Sequence, residues 1–366
     1  MKSIAVFNNK GGVGKTTLAY HLASAIALLG KKTLIIDLDP QSNLTLFGYG
    51  TDELEELWER EDTFIEDYEQ ASQEGGLSDL LTQTRSIHFL LKPTEDGLDE
   101  ITDLPPPKKI AKNLDMLPGR LSVHMFENKL ASRWSDAYQS DPLAIRTITQ
   151  IRRICEAYGK RNGYDMVIID TSPALGILNK VVISTADSFL IPCYPDMFSL
   201  YGIKNIGRAL QQWTKDFGLL RQILSEKKAR DLPSENVRFL GYTIYNARLR
   251  GDAQNRWKLA KAQFNHAKKI PSTIKNYMPV SAMSIASSSS SSDIAKPIGG
   301  TSVMHSHSTI PAMAQKYRVP IWEVPNRDDL DVNDRGSVLP NKKQYFATRE
   351  AYCTFATDVL ERLGAG

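Results

Sequence analysis

Eight residues, Lys10-Gly11-Gly12-Val13-Gly14-Lys15-Thr16-Thr17, constrain this chain more than any other stretch of it. They follow a short apolar run, Ser3 to Phe7, that reads as a buried strand. They precede Leu18, Leu22, Ile26 and Leu29, spaced as the apolar stripe of a helix that Gly30 stops. Strand, glycine-rich turn and helix in that order gather backbone N–H groups and a helix N-terminus around one space, which is how a polyphosphate is cradled. Glycines let the backbone approach the oxygens, a lysine neutralises their charge, and a hydroxyl holds Mg2+. Gly14-Lys15-Thr16 supplies that core. The usual pattern G-x-x-x-x-G-K-S/T needs glycine at position 9; this chain has Asn9 there, and a second lysine, Lys10, ahead of Gly11 and Gly12.

Thr33 to Ile36 reads as a second buried strand running into Asp37-Leu38-Asp39-Pro40. Two strands joined by one helix make a βαβ unit, so the expected fold is α/β, a mainly parallel twisted sheet flanked by helices. Further strands are expected at Leu114–Leu117, at Met166–Ile169 delivering Asp170, at Phe189–Ile191, at Phe239–Tyr245 and at Val319–Val324. Asp141-Pro142 is an N-cap followed by N1, starting a helix with Ile148, Ile151, Cys155 and Tyr158 on its apolar face. Residues 50–110 are acidic, end in three prolines, and read as an insertion or mobile peripheral segment. Residues 281–300 have the serine- and glycine-rich composition of a flexible loop within the domain. The 366 residues therefore form one enlarged domain with two excursions.

The net charge of +3 conceals a segregation. Residues 51–104 carry 17 acidic and 3 basic side chains, residues 200–280 carry 16 basic and 5 acidic ones. Such runs occur on solvated faces and also where a protein meets a polyanion. Cys155, Cys193 and Cys353 are far apart with no C-x-x-C, which argues against a disulfide framework, a zinc site or an iron–sulfur ligand set. Nothing resembles a signal peptide, and no run approaches the roughly 18 apolar residues of a membrane span. A soluble cytoplasmic protein is expected.

The segment NKGGVGKTT resembles the deviant Walker A motif of the ParA/MinD group of P-loop ATPases. Two further motifs agree in order: Asp37-Leu38-Asp39-Pro40-Gln41-Ser42-Asn43 looks like the second-strand motif of ParA proteins, and Tyr164 to Pro173 like their Walker B strand and following loop. Weaker similarity runs through Asn113 to Gly119 and Ala186 to Pro192. It covers about two thirds of the chain, outside the acidic and serine-rich segments. The resemblance implies a P-loop NTPase fold, ATP and Mg2+ as cofactors, and weak intrinsic ATPase activity stimulated by a partner. Lys15 would bind the β- and γ-phosphates, with Thr17 and the backbone of Gly11, Gly12, Val13, Gly14 and Thr16 around them. Thr16 and Asp170 would hold Mg2+, with Asp37 supporting its shell. Asp39 would position the attacking water, although it also reads as a helix cap before Pro40. Lys10 would cross a dimer interface to the partner's ATP and act as an arginine finger does. Asn246, Pro325 and Asn326 are the expected adenine contacts.

What such a switch controls is narrowed by elimination. Iron–sulfur carriers of the group need interfacial cysteines, and none is suitably placed. The C-terminal stretch Thr357 to Gly364 has apolar spacing but no Lys/Arg-rich face, unlike the membrane helix of MinD. The first strand begins at residue 3, leaving no room for an N-terminal helix-turn-helix. The resemblance thus implies an ATP-dependent homodimer, nucleoid-associated, that binds DNA non-specifically and positions a plasmid or chromosome region through a ParB-like or adaptor protein, without a membrane. Arg248, Arg250, Arg256, Lys258, Lys261, Lys268 and Lys269 would make the DNA patch if their segment is helical. A MinD-like membrane switch and a metabolic ATP-dependent ligase are the alternatives.

Overall fold

The computed structural model describes residues 1–283, 293–306 and 310–364. Seven strands form one sheet: β1 (Lys2–Val6), β2 (Thr33–Asp37), β3 (Lys108–Ala111), β4 (Leu114–Leu117), β5 (Met166–Asp170), β6 (Ser188–Cys193) and β7 (Arg238–Ile244). Their order is β3-β4-β2-β5-β1-β6-β7, and every neighbouring pair is parallel except β3 with β4. The central strands β2 and β5 are buried along their whole length, as a parallel sheet covered on both faces requires. Register brings Val6, Asp37 and Asp170 level, Asp170 pairing with Val6 on one side and Asp37 on the other. Three strand ends therefore open on the same edge of the sheet, where ligands of open α/β sheets sit.

The helix Lys15–Leu28 covers one face and packs against the C-terminal helix Lys342–Leu363, whose Tyr352, Phe355, Ala356 and Val359 are fully buried. The other face is covered by Pro142–Asn162, Ile177–Thr185 and Met197–Ile223. The first begins as expected, with the Asp141 carboxylate accepting from the Ala144 N–H at 2.7 Å and Pro142 in the first turn.

Three expectations need correction. Residues 319–324 form no strand; Ile321–Asn326 is a 3-10 turn. Pro325 has no N–H to give a ladder, and Ile321, Trp322 and Val324 bury as one helical face. The acidic 50–110 segment is not a mobile appendage. It folds into helices Thr51–Glu59, Asp62–Glu66, Tyr68–Glu74, Leu77–Leu80 and Ile87–Asp96 before β3. Phe64, Ile65, Ile87, Phe89 and Leu91 join the main core, and the acids that go in with them are paired. Glu61 accepts from the Ser86 N–H at 2.7 Å and Oγ at 2.6 Å, and Lys92 bridges Glu95 at 3.2 Å and Asp96 at 2.9 Å. The basic stretch is not one helix: 246–260 is irregular, tied by a bridge between Leu249 and Leu259, and only Lys261–Ala267 is helical. Its seven cations are nonetheless all exposed, while Trp257 is buried beneath them. The serine run within 281–300 lies outside the described residues.

Candidate active site

The loop between β1 and the helix Lys15–Leu28 needs its glycines for distinct reasons. Gly12 and Gly14 sit at φ +71° and +86°, left-handed backbone that favours glycine. A Cβ on Gly12 would meet nothing, so conformation alone sets that residue. At Gly14 a Cβ would also lie 2.5 Å from Tyr245 Cε1 and 2.9 Å from Asn246 Nδ2. The residues following β7 thus press on the back of the loop. The glycine missing from position 9 has a counterpart across the contact: Asn9 packs on Gly202, where a Cβ would come within 2.6 Å of Asn9 Oδ1.

The loop and the strand ends line a cavity of about 520 Å³. Gly11, Gly12, Gly14, Lys15, Thr16 and Thr17 face it from one side and Asp39 from the other. Val13 is fully buried beneath the loop and offers only its backbone. Lys15 is buried, its Nζ 3.5 Å from the Lys10 carbonyl, and burial pushes its ammonium below the ordinary value against the pull of Asp170 and Asp39.

The two register partners Asp37 and Asp170 differ in how they are held. Asp37 Oδ2 accepts from the Thr45 N–H at 2.9 Å and Oγ1 at 2.7 Å, and its Oδ1 from the Asp39 N–H at 3.2 Å. Gly119 lets this cluster close, since a Cβ there would stand 3.0 Å from Asp37 Cγ. Asp170 is fully buried, and among the described residues neither carboxylate oxygen accepts a geometric hydrogen bond. Burial and the neighbouring Asp37 push its carboxyl well above the usual range, against the opposing pull of Thr16 and Lys15. A buried carboxylate with no hydrogen-bond partner, next to a threonine hydroxyl, is an arrangement that could hold a cation.

Lys10 does not enter the cavity. Its ammonium pairs with Asp196 of the same chain, 5.1 Å from the centre of the Tyr194 ring and 5.7 Å from that of Phe198. Phe198 beside it is 64% exposed, and Tyr201, one turn further along the same helix, is 55% exposed; Met197 and Leu175 are also exposed.

The family model described as an AAA domain matches residues 1–224. The chain belongs to this family, as a ParA-type P-loop ATPase. The sporulation initiation inhibitor protein Soj of Bacillus subtilis is 28% identical over 205 residues, covering 56% of this chain and 63% of Soj. The chain thus spans less than two thirds of that relative. Among solved structures, the McdA–ATP complex of Cyanothece superposes with a TM-score of 0.55 at 16% identity, covering 100% of this chain and 97% of McdA. The structure of pNOB8 ParA bound to nonspecific DNA gives 0.52 at 18%, covering 99% and 98%. At these identities both show the fold.

Within this ParA-type site not every expected residue converges. Asn246 lies against Gly14 rather than in the cavity lining. Pro325 and Asn326 do not line the cavity, and Asn326 Nδ2 donates to Glu323 Oε2 at 2.9 Å. They belong to the turn that covers the helix Lys15–Leu28, not to a strand end. In their place stand Pro311, Ala312 and Gln315 of the helix Ile310–Lys316, with Gln41, Asn43 and Phe47 from the loop after β2. Gln41 and Asn43 belong to the D-L-D-P-Q-S-N motif and were readable there. Nothing in the sequence marks Pro311 to Gln315, which reach the site only by tertiary packing.

Proposed function

We propose that this protein hydrolyses ATP as a dimer, binds DNA without sequence preference in its ATP state, and positions a DNA cargo through an activating partner. The observation that carries the reading is the buried Asp170, its oxygens without a hydrogen-bond partner among the described residues, next to the Lys15 that lines a glycine-rich cavity. McdA is described in complex with ATP, and pNOB8 ParA on nonspecific DNA.

In this reading the amides of Gly11 to Thr16 and the Lys15 ammonium hold the β- and γ-phosphates. Mg2+, which takes one or two carboxylates and completes its shell with phosphate oxygens and water, would be held by Thr16 and Asp170 and would neutralise charge developing on the phosphates. Asp37, whose oxygens are engaged by Thr45 and Asp39, shapes the floor and adds negative charge rather than a ligand. Asp39, oriented by the Gln41 N–H at 3.0 Å, faces the cavity and holds the attacking water. Lys10 leaves Asp196 to reach the partner's phosphates. The exposed Phe198, Tyr201, Met197 and Leu175 supply the apolar surface that a second copy covers.

The cations at 248–269 supply the DNA-binding term, neutralising phosphates without reading bases. A MinD-like role is less well supported. Among the described residues no helix is long and apolar enough to cross a membrane, and the apolar stripe of Lys342–Leu363 is buried on the domain. The deciding experiment measures DNA affinity and oligomeric state with ATP, ADP and no nucleotide. ATP alone should drive dimers and DNA binding, with affinity falling steeply as salt rises; DNA affinity indifferent to nucleotide refutes the reading.

A further inference from the structure

The acidic segment takes no part in the nucleotide site, yet it builds a surface of its own. Helix Tyr68–Glu74, the short helix Leu77–Leu80 and the loop 98–103 enclose an open groove of about 410 Å³. Its floor is apolar: Tyr68, Leu77, Leu81, Leu98 and Ile101. The four aliphatic side chains pack on the main core and remain half-buried, with one side of each left to water. Its rim carries four carboxylates, Glu69, Asp99, Glu100 and Asp103, and no cation lines it. Two of these are answered from the helix Pro142–Asn162, by Arg146 to Asp99 at 3.4 Å and Arg153 to Glu100 at 3.0 Å. Among the described residues, no ion pair covers Glu69 or Asp103.

A contiguous apolar floor ringed by charge of one sign marks an interaction surface, and the sign selects the partner. We propose that this groove docks an amphipathic basic helix of a partner protein, its apolar face on Leu77, Leu81, Leu98 and Ile101 and its Lys/Arg flanks on the acidic rim. The segment's 17 acidic against 3 basic side chains repel any acidic partner and draw a basic one from a distance. Helices and a loop wall the groove, so it offers no strand edge for an extended peptide and fits the helix-in-groove mode. The chain's own basic helix, Lys261–Ala267, is not the occupant: Ala267 is buried and Phe264 packs into the main core, so its apolar side is already covered.

The test titrates the full chain into a fluorescent peptide of about 18 residues, with Leu at helical i, i+3, i+4, i+7 spacing and Lys elsewhere. A shuffled peptide of the same composition serves as the control. The patterned peptide should bind at least tenfold more tightly than the shuffled one. The Glu69→Lys/Asp103→Lys variant, altered only at exposed positions, should lose at least tenfold in that affinity while keeping its far-UV circular dichroism. Amide exchange should slow in 68–81 and 98–103 on binding. Equal binding of both peptides, unchanged affinity in the double variant, or protection elsewhere overturns the proposal. Self-association of the protein that the double variant abolishes also overturns it, since the groove would then belong to a second copy.

Discussion

Lys10 is ion-paired to Asp196 of its own chain, between the half-buried ring of Tyr194 and the exposed ring of Phe198. The pair holds the Asp196 carboxyl below its usual range, even against partial burial. A lysine that must reach a partner's phosphates is thereby held at home. Lys10→Ala should leave monomer ATP affinity within about twofold and cut dimer-dependent turnover by at least about 10²-fold, on the scale of a lost arginine finger. Asp196→Asn should instead raise the dimer fraction at a given ATP concentration. Light scattering and phosphate release measure both, and full turnover in Lys10→Ala removes the cross-dimer role.

Lys15→Ala should weaken nucleotide binding. A charge-assisted contact to phosphate is worth about 1.5–3 kcal/mol, so Kd should rise by at least about tenfold. Titration calorimetry with ATP reads this directly, and circular dichroism should stay unchanged.

Asp39→Ala should separate binding from chemistry. ATP binding and dimer formation persist, while hydrolysis falls by about 10²-fold or more, the usual scale for a positioned base. The trapped dimer should then hold DNA longer. An active Asp39→Ala enzyme would return Asp39 to a purely structural role before Pro40.

Gly14→Ala should damage the fold itself. The left-handed backbone costs a non-glycine residue about 1–2 kcal/mol, and contact with Tyr245 adds overpacking of about 1–3 kcal/mol. Thermal denaturation should show Tm several degrees lower. Gly12→Ala, where a Cβ meets nothing, should lose only the backbone part.

The buried carboxylates give the cation-free protein a pH signature. Burial holds both Asp37 and Asp170 above the ordinary carboxylate range, with the Asp37 charge raising Asp170 further and the Asp39 charge raising Asp37. The folded state therefore binds more protons than the unfolded one, so stability is greatest at low pH and falls as pH rises towards neutrality. In chelator, Tm should fall between about pH 5 and pH 8, and Asp170→Asn should flatten that slope. Mg2+ with ATP should raise Tm more at the upper end.

The nucleotide loop was legible because its requirements are local. Left-handed backbone, a lysine and a hydroxyl are properties of adjacent residues, and the apolar runs on either side announce strand and helix by period alone. The strands β1, β2, β4, β5, β6 and β7 were readable for the same reason. The strand β3 was not: Lys108 to Ala111 has no apolar run, and it pairs only because the turn at Asn113, at φ +63°, folds it onto β4. Residues 319–324 misled because Val319, Ile321 and Val324 carry strand-like composition, while Pro325 and the shape of the neighbouring helix decide otherwise. The acidic segment misled through its charge, since pairing of Glu61 and Glu95 inside the core is invisible in composition.

By itself the sequence determined the phosphate cradle, the parallel sheet and the acids at the strand ends, because each follows from neighbouring residues and from periodicity. Tertiary structure alone decided which acid stays unpartnered. Thr45 donates to Asp37 from eight residues away, whereas among the described residues neither Asp170 oxygen accepts a geometric hydrogen bond. It alone also brought Tyr245 to Gly14, Gln315 to the Asn43 carbonyl and Asp196 to Lys10, contacts across 231, 272 and 186 residues that only chain packing can make.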